Sequence, residues 1–378
     1  MIEVELTDSR YHRQELITWW DQSKLSNSKV LVVGAGAIGN EVVKNLAMVG
    51  VGFISIVDMD SIENSNLARC VFFREEHNGM DKATVLAEQA KALNPEITTE
   101  SHVMPVQRLG INYLLQFDII IGALDNREAR AWVNQASRKI GKVWIDAAIE
   151  GLRGLVRTFM IDGACYECTL SDEDYKAMSH RRSCALLAPH EILSGKTPTN
   201  ATTAGVVAGV QVQEAIKFLV GRQDLMALGG KVWVYTGDSM SSYVTKYQED
   251  EECMAHDFYE QIETDFQASS IGDLVTLTLK KTGEAVVAID FEEDLILVRD
   301  CKDCGTKGYS KLRSAFGLGE GLCPSCGQEL VESFSASIES SDPRVSAPFN
   351  ALGLPLSEIV TVRTETNRVH YAIEGLEK

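Results

Sequence analysis

The sequence predicts an α/β protein in which a doubly wound, Rossmann-like sheet is followed by a smaller, mainly β domain. Three observations carry that reading. Residues 29–34 (KVLVVG) form a β-rich run ending in Gly34, Gly36 and Gly39, a G-x-G-x-x-G turn that leads into the helical pattern NEVVKNLAMVG. A second apolar run, 53–57, ends at Asp58, which completes the strand–turn–helix–strand–acid order of a nucleotide-binding βαβ unit. Far downstream, Cys301, Cys304, Cys323 and Cys326 fall as C-x2-C-x18-C-x2-C, the spacing of a zinc ribbon.

The elements follow in order. Residues 82–94 read as a helix, 118–124 (DIIIGAL) as a buried strand ending at Asp125, 126–141 as a helix and 143–149 as a strand. Residues 206–220 read as a long buried helix. In such sheets, functional residues gather at the C-terminal strand ends, where Asp58 and Asp125 both fall. The glycines allow a tight turn and close approach of a phosphate, the helix N-terminus attracts the same anion, and Asp58 is placed to accept from ribose hydroxyls. The fingerprint by itself suits a dehydrogenase as well as an ATP enzyme.

Composition sets bounds. The 378 residues call for two domains, and 45% hydrophobic with 24% charged residues is that of an ordinary globular chain. The net charge of −18 argues against a nucleic-acid partner. The opening residues carry no secretory pattern and no apolar run reaches the roughly 20 residues that cross a bilayer, so a cytoplasmic location and no membrane association are expected. Nine cysteines then point to metal or catalysis rather than to disulfides.

The stretch DMDSIENSNLARCVFFREEHNGMDKATVLAEQAKALNP, between the second strand and the next helix, settles the ambiguity. With RYHRQ before it and Asp125 after it, the sequence from about residue 10 to 256 resembles the ThiF/MoeB superfamily, which includes the activating enzymes of ubiquitin-like modifiers. The resemblance implies an enzyme that uses ATP to adenylate the C-terminal carboxylate of a small protein. It implies that Asn66, Arg69 and Lys82 hold the ATP phosphates, and that Asp125 holds Mg2+. It also implies that Arg13 reaches the phosphates of the opposite subunit, and hence a homodimer with composite sites. Chemically the set is apt, because a carboxylate attacking a polyanion needs its repulsion screened. Cys70 stands where the family has glutamine and reads as a small buried residue.

The family's structural zinc site is matched by Cys165 and Cys168 in GACYECTL and, beyond the long helix, by Cys253 and His256 in ECMAH. Relatives usually have two cysteines in the second half, so His256 departs from the pattern. Three thiolates and an imidazole would close a tetrahedral site. The ribbon cysteines would hold a second zinc, with cross-pairing between the two sets left open by spacing alone. The segment from about 171 to 203, HRRSCALLAPH included, resembles the crossover loop that carries the thioester-forming cysteine, which makes Cys184 the expected nucleophile, with His180, Arg181 and Arg182 favouring its thiolate. The glycine- and threonine-rich residues 195–205 read as a mobile loop.

The expected domains are 1–256, the adenylation domain, and 257–378, the ribbon domain, with a role in recruiting a partner or in stabilising the assembly. In the latter, 274–279, 285–290 and 295–299 read as strands, 333–347 as a loop and 360–363 with 369–373 as a hairpin. The function expected is activation of a ubiquitin-like protein, using ATP, Mg2+ and Zn2+, followed by transfer to a conjugating enzyme. Two alternatives stand: an adenylyltransferase for a sulfur-carrier protein that forms no enzyme thioester, and an inactive scaffold subunit.

Overall fold

A computed structural model describes residues 9–171, 173–175, 198–305, 307–308, 322–323, 325–328, 330–355 and 357–374. The chain divides into two compact units. The first holds the described residues from 9 to 106, 115 to 175 and 198 to 257; the second holds 107–114 and 258 onward. The short segment 107–114, left within the first domain by the sequence reading, belongs to the second unit.

Among the described residues of the first unit an eight-stranded sheet runs in the order β3-β2-β1-β4-β5-β6-β7-β8. The strands are β1 (Lys29–Val33), β2 (Phe53–Val57), β3 (Thr98–His102), β4 (Ile119–Gly122), β5 (Val143–Glu150), β6 (Arg153–Phe159), β7 (Lys231–Thr236) and β8 (Ser241–Thr245). The pairs from β3 through β5 are parallel and the rest antiparallel. Between β1 and β4 the order reverses, opening the crevice at which such sheets bind ligands. The helices are α1 (Ala37–Val49), α2 (Lys82–Leu93), α3 (Arg127–Lys139) and α4 (Ala201–Leu219). Alternation along the strands puts Val30, Val32, Ile54, Ile56, Ile119 and Ile121 in one buried cluster with Val42, Val43 and Leu46 of α1 and Val207, Ala208 and Val212 of α4. Helix α4 starts at Ala201, capped by the Asn200 side chain accepting from the Thr203 N–H, so residues 201–205 are its first turn rather than loop.

The second unit departs further from expectation. Residues 271–282, expected in part as a strand, form helix α5 (Ile271–Thr282). Ser270 and Asp273 make a reciprocal capping box and Gly283, at φ 75°, terminates the helix. Those end signals outweigh the alternating apolar pattern LVTLTL. The expected strands 285–290 and 295–299 merge into one bulged strand, β10 (Ala288–Asp300), and the first half of the serine-rich stretch expected as a loop, 333–339, belongs to its partner, strand β12 (Val331–Glu339). With β9 (Ile262–Glu263), β11 (Lys307–Gly308), β13 (Ser357–Arg363) and β14 (Arg368–Glu374), the sheet order is β11-β10-β13-β14-β9, and β12 lies on β10. The β13–β14 hairpin is as expected. The segment 107–114 is tied in by Asn112, whose amide donates to Ser357 Oγ at 2.8 Å.

Candidate functional site

The glycine turn at the end of β1 is shaped by three different constraints. Gly34 has φ 103°, and a Cβ there would lie 2.4 Å from the Ala123 carbonyl oxygen beyond β4. A Cβ on Gly39 would meet the Gly34 carbonyl oxygen at 2.0 Å, so this glycine lets α1 seat against the turn. Gly36 has nothing within 4 Å of the corresponding position. That open space above a helix N-terminus suits a phosphate approaching the backbone. Asp58 braces the turn: its carboxylate accepts from the Ala35 N–H at 2.7 Å and from the Asp60 N–H at 2.8 Å. Burial raises the Asp58 pKa above the ordinary carboxylate range, against the lowering effect of those N–H groups and Lys82. Each oxygen retains a lone pair for a ribose hydroxyl.

Of the expected cations, Lys82 stands beside this turn, next to Asp58 and Asp60. Arg69 is half-buried and makes no salt bridge among the described residues, which leaves its forked donors for an anion. Lys82, at the start of α2, is paired with Asp60 at 2.7 Å. Burial works against the Lys82 charge, but Asp60 and Asp58 outweigh it and raise the Lys82 pKa. Asn66 is buried, and its side-chain oxygen accepts from the Glu63 N–H at 2.9 Å, so only its amide nitrogen is left to donate to a phosphate. Asp125 follows β4 and is exposed, with a long 3.4 Å contact from the Asn126 amide. Arg13 is exposed on the short helix His12–Glu15. Cys70 is buried, and burial pushes its thiol up to about 11, which keeps it protonated and inert at neutral pH. Cys184, with His180, Arg181 and Arg182, lies outside the described residues.

The cysteines gather as two sets. In the first unit the ligand atoms of Cys165, Cys168, Cys253 and His256 lie within 4.8 Å of one another. Sulfur–sulfur distances are 3.7 Å for Cys165–Cys253 and 3.8 Å for Cys165–Cys168, and Cys168 Sγ is 3.2 Å from His256 Nε2. Tetrahedral Zn–S bonds of about 2.3 Å place sulfurs roughly 3.8 Å apart, so the arrangement fits a zinc ion. The other His256 nitrogen faces Glu249 at 3.7 Å, the usual outer partner of a ligating imidazole. In the second unit Cys301, Cys304, Cys323 and Cys326 are likewise within 4.8 Å, with 3.4 Å for both Cys301–Cys326 and Cys304–Cys323. Among the described residues Cys165 and Cys168 group with Cys253 and His256, and the ribbon cysteines with one another.

A model of the ThiF family matches residues 10–255. The chain belongs to that family. It is similar to the SAMP-activating enzyme E1 of Haloferax volcanii, 30% identical over 239 residues that cover 61% of this chain and 81% of that one. The sulfur carrier protein adenylyltransferase of Thermus thermophilus is 35% identical over 169 residues, 42% of this chain and 62% of the relative. Ubiquitin-like modifier-activating enzyme 5 of Dictyostelium discoideum is 27% identical over 227 residues, covering 54% and 56% respectively. Among solved structures, Escherichia coli MccB with ATP superposes with a TM-score of 0.55 at 24% identity, covering 67% of this chain and 75% of that one, a likeness of fold.

Two supports of this ThiF-family site were not read from the sequence. Asn40, directly after Gly39, donates from its buried amide to the carbonyls of Ala35 at 2.8 Å and Gly36 at 3.2 Å, and accepts from the Phe72 N–H at 3.1 Å. It thereby ties the glycine turn to the segment carrying Asn66 and Arg69. The only sequence signal was a polar residue on the buried face of a helix. The second support is the Asp146, Arg130 and Arg157 cluster, whose members lie on three separate elements.

Proposed function

We propose that this protein uses ATP to adenylate the C-terminal carboxylate of a ubiquitin-like protein and then takes the acyl group onto Cys184 as a thioester. The first step is supported by the open Gly36 turn, by Lys82 beside Asp58 and Asp60, by an Arg69 that makes no salt bridge among the described residues, and by an exposed Asp125 just beyond β4. A carboxylate is already ionised at neutral pH, so no general base is required, only cations that screen its approach to the α-phosphate. The carboxylate oxygen bonds to the α-phosphorus as the bond to the leaving pyrophosphate breaks. Arg69, Lys82 and the Asn66 amide would hold the phosphates. Asp125 would hold Mg2+, which supplies charge neutralisation when bound. Zinc would occupy both cysteine sets as a structural ion, since neither leaves a ligand position open.

In the second step the Cys184 thiolate attacks the acyl carbon and AMP leaves, after which the thiol of a conjugating enzyme accepts the acyl group. The exposure of Arg13 supports its service to a partner subunit's site and hence a homodimer. Arg13→Ala and Asp125→Ala variants, each inactive, should then regain partial activity when mixed; no rescue with subunit exchange confirmed would refute the composite site. The similarity to the Thermus thermophilus adenylyltransferase supports a second reading, adenylation of a sulfur carrier without an enzyme thioester. Cys184→Ala separates the two. Under the first reading it keeps ATP–pyrophosphate exchange and loses a reductant-sensitive adduct that the wild type forms. A wild type that adenylates a modifier yet never forms an adduct favours the second.

A further inference from the structure

Beneath the turn that carries Asp125 lies a buried charge cluster that neither step of the proposed chemistry uses. Asp146, on β5, is fully buried and divides its carboxylate between two arginines. Oδ1 accepts from Arg130 Nε at 3.2 Å; Oδ2 accepts from Arg157 Nε at 3.1 Å and from Arg157 Nη2. Arg157 stands directly opposite Asp146 in the β5–β6 ladder, and its guanidinium lies 5.0 Å from the Tyr166 ring centroid. Both arginines are only 8% exposed. One carboxylate between two guanidinium groups leaves a surplus positive charge out of water, a costly arrangement in a core where apolar residues of similar volume would serve packing as well.

The second hand of Arg130 shows what the cost maintains. Its Nη2 donates to the carbonyl of Leu124, the residue before Asp125, and to the carbonyl of Ala147 at 3.2 Å. One rigid fork therefore pins the exit of β4 to β5 while Asp146 fixes the fork. The same helix face continues the bracing at successive turns. Asn134 accepts from the Tyr166 N–H at 2.9 Å and reaches Cys165 Sγ at 3.4 Å, and Arg138 donates to the Gly163 carbonyl at 3.0 Å. Residues four apart share a helix face, so Arg130, Asn134 and Arg138 form one stripe of α3.

We propose that Arg130, held by Asp146 and Arg157, is a positioning residue that sets the Leu124–Asp125 turn for binding of Mg2+–ATP. The inference rests on the nucleotide-site reading above. It acts through geometry, because a lysine keeps the charge but cannot span two carbonyls and a carboxylate at once. In the ligand-free protein, Arg130→Lys should speed amide hydrogen exchange over residues 124–127 relative to the wild type. The Mg2+ concentration giving half of the ATP-induced rise in melting temperature should increase about tenfold, equivalent to about 1.4 kcal/mol. Asp146→Asn, which keeps the shape and removes the charge, should move both readouts in the same direction. A wild type that shows no ATP-induced stabilisation refutes the nucleotide site itself. A responsive wild type, with folded variants matching it in exchange and in Mg2+ dependence, overturns the positioning role alone. Global unfolding of both variants would also overturn it, by assigning the cluster to overall stability.

Discussion

The two cysteine sets have nearly the same ligand chemistry and opposite surroundings. In the ribbon, Cys301 and Cys323 are buried while Cys304 and Cys326 are exposed, and each pair closes on a glycine, Gly305 at φ 73° and Gly327 at φ 74°, whose N–H returns to the first cysteine's carbonyl. It is a self-contained pair of knuckles. The set in the first unit has no such glycines. Its Cys165–Tyr166 stretch is instead held by Asn134 of α3, the helix that begins just after Asp125. One set is therefore tied to the helix that follows Asp125, whereas the ribbon pairs close on their own glycine turns.

Substitutions at the two places should separate accordingly. The largest effect is expected at the carboxylate just ahead of that helix: Asp125→Ala should cut ATP–pyrophosphate exchange by roughly a thousandfold with the fold intact, as loss of a charge-stabilising group in an active site does. Near-normal exchange by the folded variant would detach Asp125 from the mechanism. Next, Cys168→Ser should release one zinc per chain and lower both exchange and melting temperature, whereas Cys304→Ser should release the other zinc and leave exchange near the wild-type rate. Elemental analysis with the exchange assay checks this, and equal losses of exchange in both variants would erase the comparison. Asn134→Ala should cost about 1–3 kcal/mol in denaturant unfolding, since it strands the buried Tyr166 N–H.

Smaller effects belong to the second unit. Ser270→Ala removes the cap of α5 and should cost about 1 kcal/mol there without altering exchange. Glu284 is held at about 2 by hydrogen bonds from Thr364, Thr366 and Asn367, below its ordinary 4.5. A carboxylate depressed by folding stabilises above its unfolded pKa, and that stabilisation is lost as pH falls from about 4.5 toward 2. Relative to the wild type, Glu284→Gln should therefore flatten the acid limb of the unit's stability in that window. An unchanged limb would mean that folding does not depress the Glu284 pKa.

The same contrast governs what the sequence made legible. Strands β1, β2, β4 and β5 and their glycine turn could be read because buried parallel strands are short apolar runs punctuated by glycine and acid. In the second unit, pattern misled twice. LVTLTL alternates like a strand, yet a capping box and Gly283 make it helical. The serines of β12 read as loop because polar residues on a strand look like turn chemistry until their pairing with β10 is known. The ribbon set was legible from spacing and the first set only through the family resemblance, and spacing alone left their separation open. Asn40 gave only the faint signal of a polar residue on a buried helix face, since its tie to Phe72 spans distant sequence, and the Asp146 cluster gave none, because its members lie on three separate elements.

The most direct test of the account is ATP–pyrophosphate exchange measured with a candidate ubiquitin-like protein in two forms, one with a free C-terminal carboxylate and one C-terminally amidated. Mg2+-dependent exchange is expected with the free carboxylate and none with the amide. Equal exchange with both forms would contradict adenylation of the C-terminal carboxylate.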